Sequence, residues 1–108
     1  MKLFTDEFRC QIPAVETTRA VWELAQKNCA GIYHVAGAEK LSRWHICQLL
    51  VKRWPEVKTK IESASAKDFP GPPRALYTSL DIVKVQKVLS TPLPGLTEWL
   101  AANPGELF

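Results

Sequence analysis

Residues 31–44, Gly-Ile-Tyr-His-Val-Ala-Gly-Ala-Glu-Lys-Leu-Ser-Arg-Trp, constrain the fold more than any other stretch of the chain. They read in succession as a strand, a glycine turn and a capped helix. Ile32, Tyr33 and Val35 are β-branched or aromatic types that suit a pleated surface. Gly37 follows where the strand must stop and predicts a turn residue at positive φ. Ser42 stands where a helix N-cap belongs, its hydroxyl able to accept from an amide two or three residues on. This order is an α/β unit. A chain of 108 residues with so few strand-like segments does not complete a sheet around residues 32–36, so that strand is expected at the edge of a larger sheet.

The length fits one small domain with one core, since a domain of this size buries roughly 65% of the surface its unfolded chain exposes. The net charge of +3 is small, and basic residues are interspersed with acidic ones. Lys52, Arg53, Lys58 and Lys60 form a loose group around a predicted helix end, where cations suit the helix dipole, rather than the clustered stripe of a nucleic-acid-binding domain. Cys10, Cys29 and Cys47 are odd in number and lack zinc-ligand spacing, so they read as reduced thiols, with Cys47 a small core residue. No apolar run reaches 18 residues and no signal-peptide pattern is present, which predicts no membrane span and the cytoplasm as compartment.

Along the chain, residues 1–15 read as extended and irregular. A helix is expected over residues 17–28, with Ala20, Val21, Leu24 and Ala25 as its buried stripe and Asn28 and Gly31 ending it. A second helix is expected from Arg43 to about Trp54, stopped by Pro55, and a short strand over residues 57–62. The proline-rich residues 63–76 read as a loop. Ser79 is expected to cap a helix over residues 80–89 with Ile82, Val85, Val88 and Leu89 inward, and a last helix falls over residues 96–102.

Little in the sequence points to catalysis by this chain. It has no Gly-x-Gly-x-x-Gly loop, no Gly-x-x-x-x-Gly-Lys loop and no Gly-x-Ser-x-Gly elbow. His34 reads as a structural strand residue and His45 as a surface residue, and neither has a second ligand at metal spacing. Asp6, Glu7 and Glu16 do not form a recognisable acid/base pair. No catalytic or metal residue is therefore assigned. Arg74, at the end of the proline-rich loop, is the charge that stands out: it fits either a solvated loop arginine or a phosphate contact, and Arg9 beside Phe8 invites the same two readings.

Four blocks carry a resemblance to a known family. They are Leu-Phe-Thr-Asp-Glu-Phe-Arg-Cys at residues 3–10 with Arg-Ala-Val-Trp-Glu-Leu at 19–24; residues 31–37; Leu-Ser-Arg-Trp at 41–44; and Arg74 with Ser79, Leu80, Asp81 and Lys84. Together they resemble the C-terminal part of a dTDP-4-dehydrorhamnose reductase-like member of the extended short-chain dehydrogenase/reductase superfamily.

The resemblance implies an α/β fold that is mostly helical with one to three short strands. It makes residues 1–108 a single substrate-side region of a sugar-nucleotide reductase or epimerase, with a nucleotide-diphosphate sugar as ligand and Arg74 and Arg9 as substrate-binding residues. NAD(P) belongs to the full-length parent: the glycine-rich loop and the Tyr-x-x-x-Lys pair lie in an N-terminal Rossmann half and are not in this sequence, so the chain alone is expected to bind no cofactor. A homodimer is a possible assembly. The departures are Ala75 where the family often has Pro, Tyr77 where it often has an acid, and Gln-Ile-Pro-Ala-Val-Glu at residues 11–16 in place of Pro-Ile-Tyr-Val-Asp-Asp. They keep open a second class of function, a non-catalytic interaction module or pseudoenzyme remnant of the same fold.

Overall fold

In the computed structural model, which describes residues 1–105, the elements in chain order are β1 (Lys2–Phe4), β2 (Phe8–Arg9), α1 (Ala14–Gln26), β3 (Leu41–Ser42), α2 (Arg43–Arg53), β4 (Glu62–Ala64), a 3₁₀ turn (Ala66–Asp68), α3 (Val83–Gln86) and α4 (Leu96–Ala102). The α/β class expected from the sequence holds, with the strand content divided among short pieces. The chain forms two compact units that alternate along the sequence: Met1–Arg9 with Lys40–Ser79, and Cys10–Glu39 with Leu80 onward.

The first unit is built on two small strand pairs. β1 pairs in parallel with β4, Lys2 opposite Glu62 and Phe4 opposite Ala64, and β2 pairs antiparallel with β3, Phe8 opposite Ser42 and Arg9 opposite Leu41. Residues 1–15 are thus more ordered than their composition suggests. The strand expected over residues 57–62 forms later, at Glu62–Ala64, because β1 is the partner that decides where it pairs. The predicted loop correspondingly begins with that strand and the 3₁₀ turn. Ser42 caps α2 as expected, its Oγ accepting from the His45 amide at 3.2 Å, and is wholly buried. Ile46 is the buried residue of α2, while Cys47, Leu49, Leu50, Val51 and Trp54 are half-buried.

The second unit packs Ala20, Val85, Leu89 and Leu93 into one cluster, with Ile12, Leu24, Tyr33, Val35 and Ile82 against it. α1 starts at Ala14 rather than Thr17 because Pro13 takes an extended N-cap geometry, φ −64° and ψ 144°, and leaves the next residue free to enter the helix. Its buried stripe is narrower than expected: Ala20 and Leu24 face inward, while Val21 and Ala25, one position round the helix, are exposed. Asn28 ends the turn at φ 51°. The helix expected over residues 80–89 shortens to α3, whose N-cap is Ile82 with no side-chain cap; just before it Asp81 Oδ1 accepts from the Val83 amide at 2.8 Å, and the hydroxyl of Ser79, the expected cap, is buried with no partner among the described residues. α4 lies where predicted, its Thr97 amide donating to Glu39 Oε2 at 2.9 Å.

Residues 32–36 do not form a strand. They run without bend, with Tyr33 and Val35 turned into the core cluster and Ile32 79% exposed, but among the described residues no strand pairs with them. The sequence supplies the pattern of a strand and the fold supplies no ladder partner. Gly37, just beyond, is also not the positive-φ residue expected. It is required by close approach, since a Cβ there would sit 1.9 Å from the Gln11 carbonyl oxygen. No described helix is long and apolar enough to cross a membrane, and the three cysteines are unpaired.

Because both obstructing atoms of Gln11 are backbone, Gly37→Ala forces the main chain apart and is expected to cost about 2–3 kcal/mol. A urea-unfolding midpoint equal to wild type would show that the 10–11 and 37 segments are not held together as described.

Candidate anion-binding site

β2 is the organiser of the site because chain segments flank it on both sides. Phe8 pairs with Ser42 in β3 and bridges in parallel to Tyr77; the Phe8 amide donates to Leu76 O at 2.7 Å, and the Arg43 amide donates to Glu7 O at 2.9 Å. These main-chain bonds bring Glu7, the first residue of α2 and the end of the proline-rich loop to one place.

At that place the Glu7 side chain is 1% exposed and meets three guanidiniums. Its Oε1 accepts from Arg9 Nη2 in a short contact and from Arg43 Nη1 at 3.4 Å. Its Oε2 accepts from Arg74 Nε at 3.3 Å, and Arg74 Nη2 also reaches Oε1 at 3.5 Å. The arginines themselves are 30%, 43% and 35% exposed. Burial pushes the Glu7 carboxyl up, but the Arg74 hydrogen bond and the charges of Arg43, Arg74 and Arg9 outweigh it, so its pKa lies below the usual carboxylate value.

Arg9 is committed internally. Besides Glu7 it donates to Phe8 O at 2.9 Å and to Thr78 Oγ1. Arg74 is held differently, with its guanidinium 5.5 Å from the ring centres of both Phe4 and Phe69, which meet edge to face. Phe69 in turn lies on Gly71, where a Cβ would come within 2.4 Å of the ring. Asp6 fixes the loop that carries Phe69: Oδ1 accepts from the Ala66 amide at 2.7 Å and Oδ2 from the Ser65 hydroxyl at 2.5 Å, and these bonds lower its pKa. Arg74, Lys67, Phe69, Gly71, Pro72 and Pro73 line an open cleft of about 360 Å³. Close by in sequence, Phe8 and Tyr77 stack at 5.6 Å with Lys40 Nζ 4.9 and 4.8 Å from the two ring centres.

Both arginines singled out from the sequence therefore converge on one carboxylate. Two members of the cluster were not singled out. Glu7 had a signal: in an extended segment residues two apart share a face, which places its carboxylate beside Arg9. Arg43 had none, since its approach depends on β2 pairing with β3. His34 and His45 are exposed, and among the described residues no group of three or more His, Cys, Asp or Glu is placed to hold a metal ion.

The fold is that of the C-terminal part of a sugar-nucleotide-reductase-like α/β protein. It is similar to the dTDP-4-dehydrorhamnose reductase of Clostridium acetobutylicum, with a TM-score of 0.79, 16% identity and 94% of this chain covered against 36% of that one. It is equally similar to the Bacillus anthracis reductase solved in complex with NADP, at 0.79 and 14%, covering 94% and 36%. The Yersinia enterocolitica reductase matches at 0.72 and 19%, covering 92% and 34%. The chain thus spans about a third of the length of these reductases. No curated protein matches it in sequence. The family model of the RmlD substrate binding domain matches residues 1–103, and the chain belongs to that family.

Because the folded-state pKa of Glu7 is lowered, the folded protein keeps this charge where the unfolded chain has taken up a proton. The stabilisation is complete above the unfolded value, about 4.5, and is lost as the pH falls through the folded value. Glu23 in the second unit, held at about 2 by the Lys27 and Ser90 hydrogen bonds, contributes with the same sign. Glu7→Gln is expected to cost about 1–3 kcal/mol at pH 7 and to make the decline in urea midpoint between pH 5 and 3 shallower without abolishing it. An unchanged pH dependence in that variant would remove Glu7 from the account.

Proposed function

We propose that the chain is the substrate-binding portion of an NAD(P)-dependent sugar-nucleotide reductase of the dTDP-4-dehydrorhamnose reductase type and that it binds a nucleotide-diphosphate sugar. The observation that carries this reading is Arg74, presented in the wall of the cleft with its guanidinium packed beside the edge-to-face pair Phe4 and Phe69. A guanidinium packed beside two rings and paired with a buried carboxylate is restrained before binding, and it offers a fork of N–H donors suited to phosphate oxygens. Arg9, its donors engaged by Glu7, Phe8 and Thr78, acts through its charge at the same carboxylate. Membership of the RmlD substrate-binding-domain family supports the substrate class, and the NADP complex of the Bacillus anthracis reductase supports the cofactor of the parent.

In the whole reductase, NAD(P) supplies the hydride for a sugar carbonyl. The residues of this chain bind and orient the diphosphate end of the substrate. We assign them no hydride or proton transfer and no cofactor contact, because the sequence has neither a glycine-rich phosphate loop nor a Tyr-x-x-x-Lys pair. The unpaired cysteines support the cytoplasm as the working compartment.

Titration of the 108-residue chain with dTDP-glucose is expected to raise its melting temperature saturably, without NADPH consumption on any nucleotide sugar, and Arg74→Gln to weaken binding about tenfold or more. No shift with any nucleotide sugar would favour an interaction module instead. Turnover by the chain alone would place the active site within it.

A further inference from the structure

We infer that Arg43 is a second substrate-contacting arginine beside Arg74, and that Glu7 with Arg9, Arg43 and Arg74 forms a cradle whose net charge matches a diphosphate. The inference rests on the proposed nucleotide-sugar function and extends it to a residue to which the resemblance gives no role and which does not line the cleft. Three guanidiniums against one carboxylate leave a charge of +2 on the cluster. The diphosphate of a nucleotide sugar, with two phosphodiester-like groups, carries about −2 at neutral pH.

The contacts divide the arginines by availability. Three guanidiniums bring about fifteen N–H donors to about four carboxylate acceptor sites, so most donors need other partners. Arg9 spends its donors on Glu7, Phe8 and Thr78. Arg43, by contrast, makes a single polar side-chain contact among the described residues, to Glu7 Oε1 at 3.4 Å, and Arg74 holds the same carboxylate at 3.3 and 3.5 Å. Both sit at the long end of hydrogen bonding, where a phosphate oxygen competes readily. Arg43 reaches Oε1 alone while Arg74 spans both carboxylate oxygens, so two guanidiniums converge on one carboxylate and offer a dianion more than one positive charge.

Arg43 is also well anchored. Its amide donates to Glu7 O at 2.9 Å, and the preceding Ser42 is buried and caps α2. The backbone that carries the guanidinium is thus fixed, while the side chain is 43% exposed.

The test measures binding of inorganic pyrophosphate, orthophosphate and dTDP-glucose by calorimetry to the full 108-residue chain and to four variants. Wild type is expected to prefer pyrophosphate to orthophosphate. Arg43→Gln is expected to lose about tenfold for pyrophosphate and dTDP-glucose, comparable to Arg74→Gln, and to lose that preference. Arg43→Lys keeps the charge without the fork and is expected to lose about threefold; it carries the test if the Gln variant fails to fold. Lys87→Gln, which removes one exposed charge from the second unit, is expected to leave all three affinities unchanged. If Arg43→Gln binds within twofold of wild type while Arg74→Gln does not, this inference is overturned and the proposed function stands. Equal losses in Arg43→Gln and Lys87→Gln, or wild-type affinity in Arg43→Lys, also overturn it. A wild-type chain that binds pyrophosphate but no nucleotide sugar overturns the proposed function and leaves the cradle, and one that binds none of the three overturns both.

Discussion

A carboxylate buried as deeply as that of Glu7 costs several kcal/mol in lost hydration, and the first unit is arranged so that this cost is offset. One guanidinium would suffice to pair the charge. Three are present, reaching Glu7 from its own strand, from the first turn of α2 and from the end of the proline-rich loop. Each arrives by a different main-chain route, so the ion cluster and the strand pairing require one another. Without β2 paired to β3 the Arg43 guanidinium has no reason to approach, and without the carboxylate the three cations repel one another. The excess of positive charge follows from the same arrangement. A cluster built only for stability would balance its charges, whereas this one leaves two positive charges near the surface beside an open cleft.

The two aromatic contacts in this unit have different consequences. The edge-to-face pair Phe4 and Phe69 packs beside the Arg74 guanidinium at the cleft wall. Phe8 and Tyr77 are engaged with Lys40 instead, and the Phe8–Tyr77 bridge is where the segment after Arg74 rejoins β2. Tyr77 stands where the resemblance leads to the expectation of an acid. An acid there would add a negative charge close to Arg9 and Thr78, whereas a tyrosine stacks on Phe8 and leaves the positive excess intact.

What the sequence made legible was whatever is decided locally. The Ser42 cap, the end of α2 before Pro55 and the span of α4 between Pro94 and Pro104 all depend on residues within one or two turns, and all lie where they were expected. Pairing partners are not local. β4 moved because β1 set its register, and residues 32–36 show a strand pattern with no described strand beside them. α3 is shorter at both ends than its apolar spacing suggests, starting after the Asp81 turn and giving way to a turn at residues 87–88. The site divided in the same way. Arg74 and Arg9 stand out by composition and loop context, but Glu7 looks like any surface acid until the strand pairing buries it, and Arg43 looks like any first-turn helix residue.

The order of these dependencies bears on how such a site changes in evolution. Replacing Arg74 alters the cleft directly but leaves Glu7 with Arg9 and Arg43 as partners, so the fold tolerates it. Replacing Glu7 leaves three cations facing one another across a packed strand pair, so the cost falls on the fold before it falls on the ligand. A residue of the second kind is under structural constraint wherever the arginine cluster is present, whether or not the chain still serves a reductase. On the proposed function, retention of Glu7 together with loss of Arg74 or Arg43 marks a chain that has kept the scaffold and given up the anion.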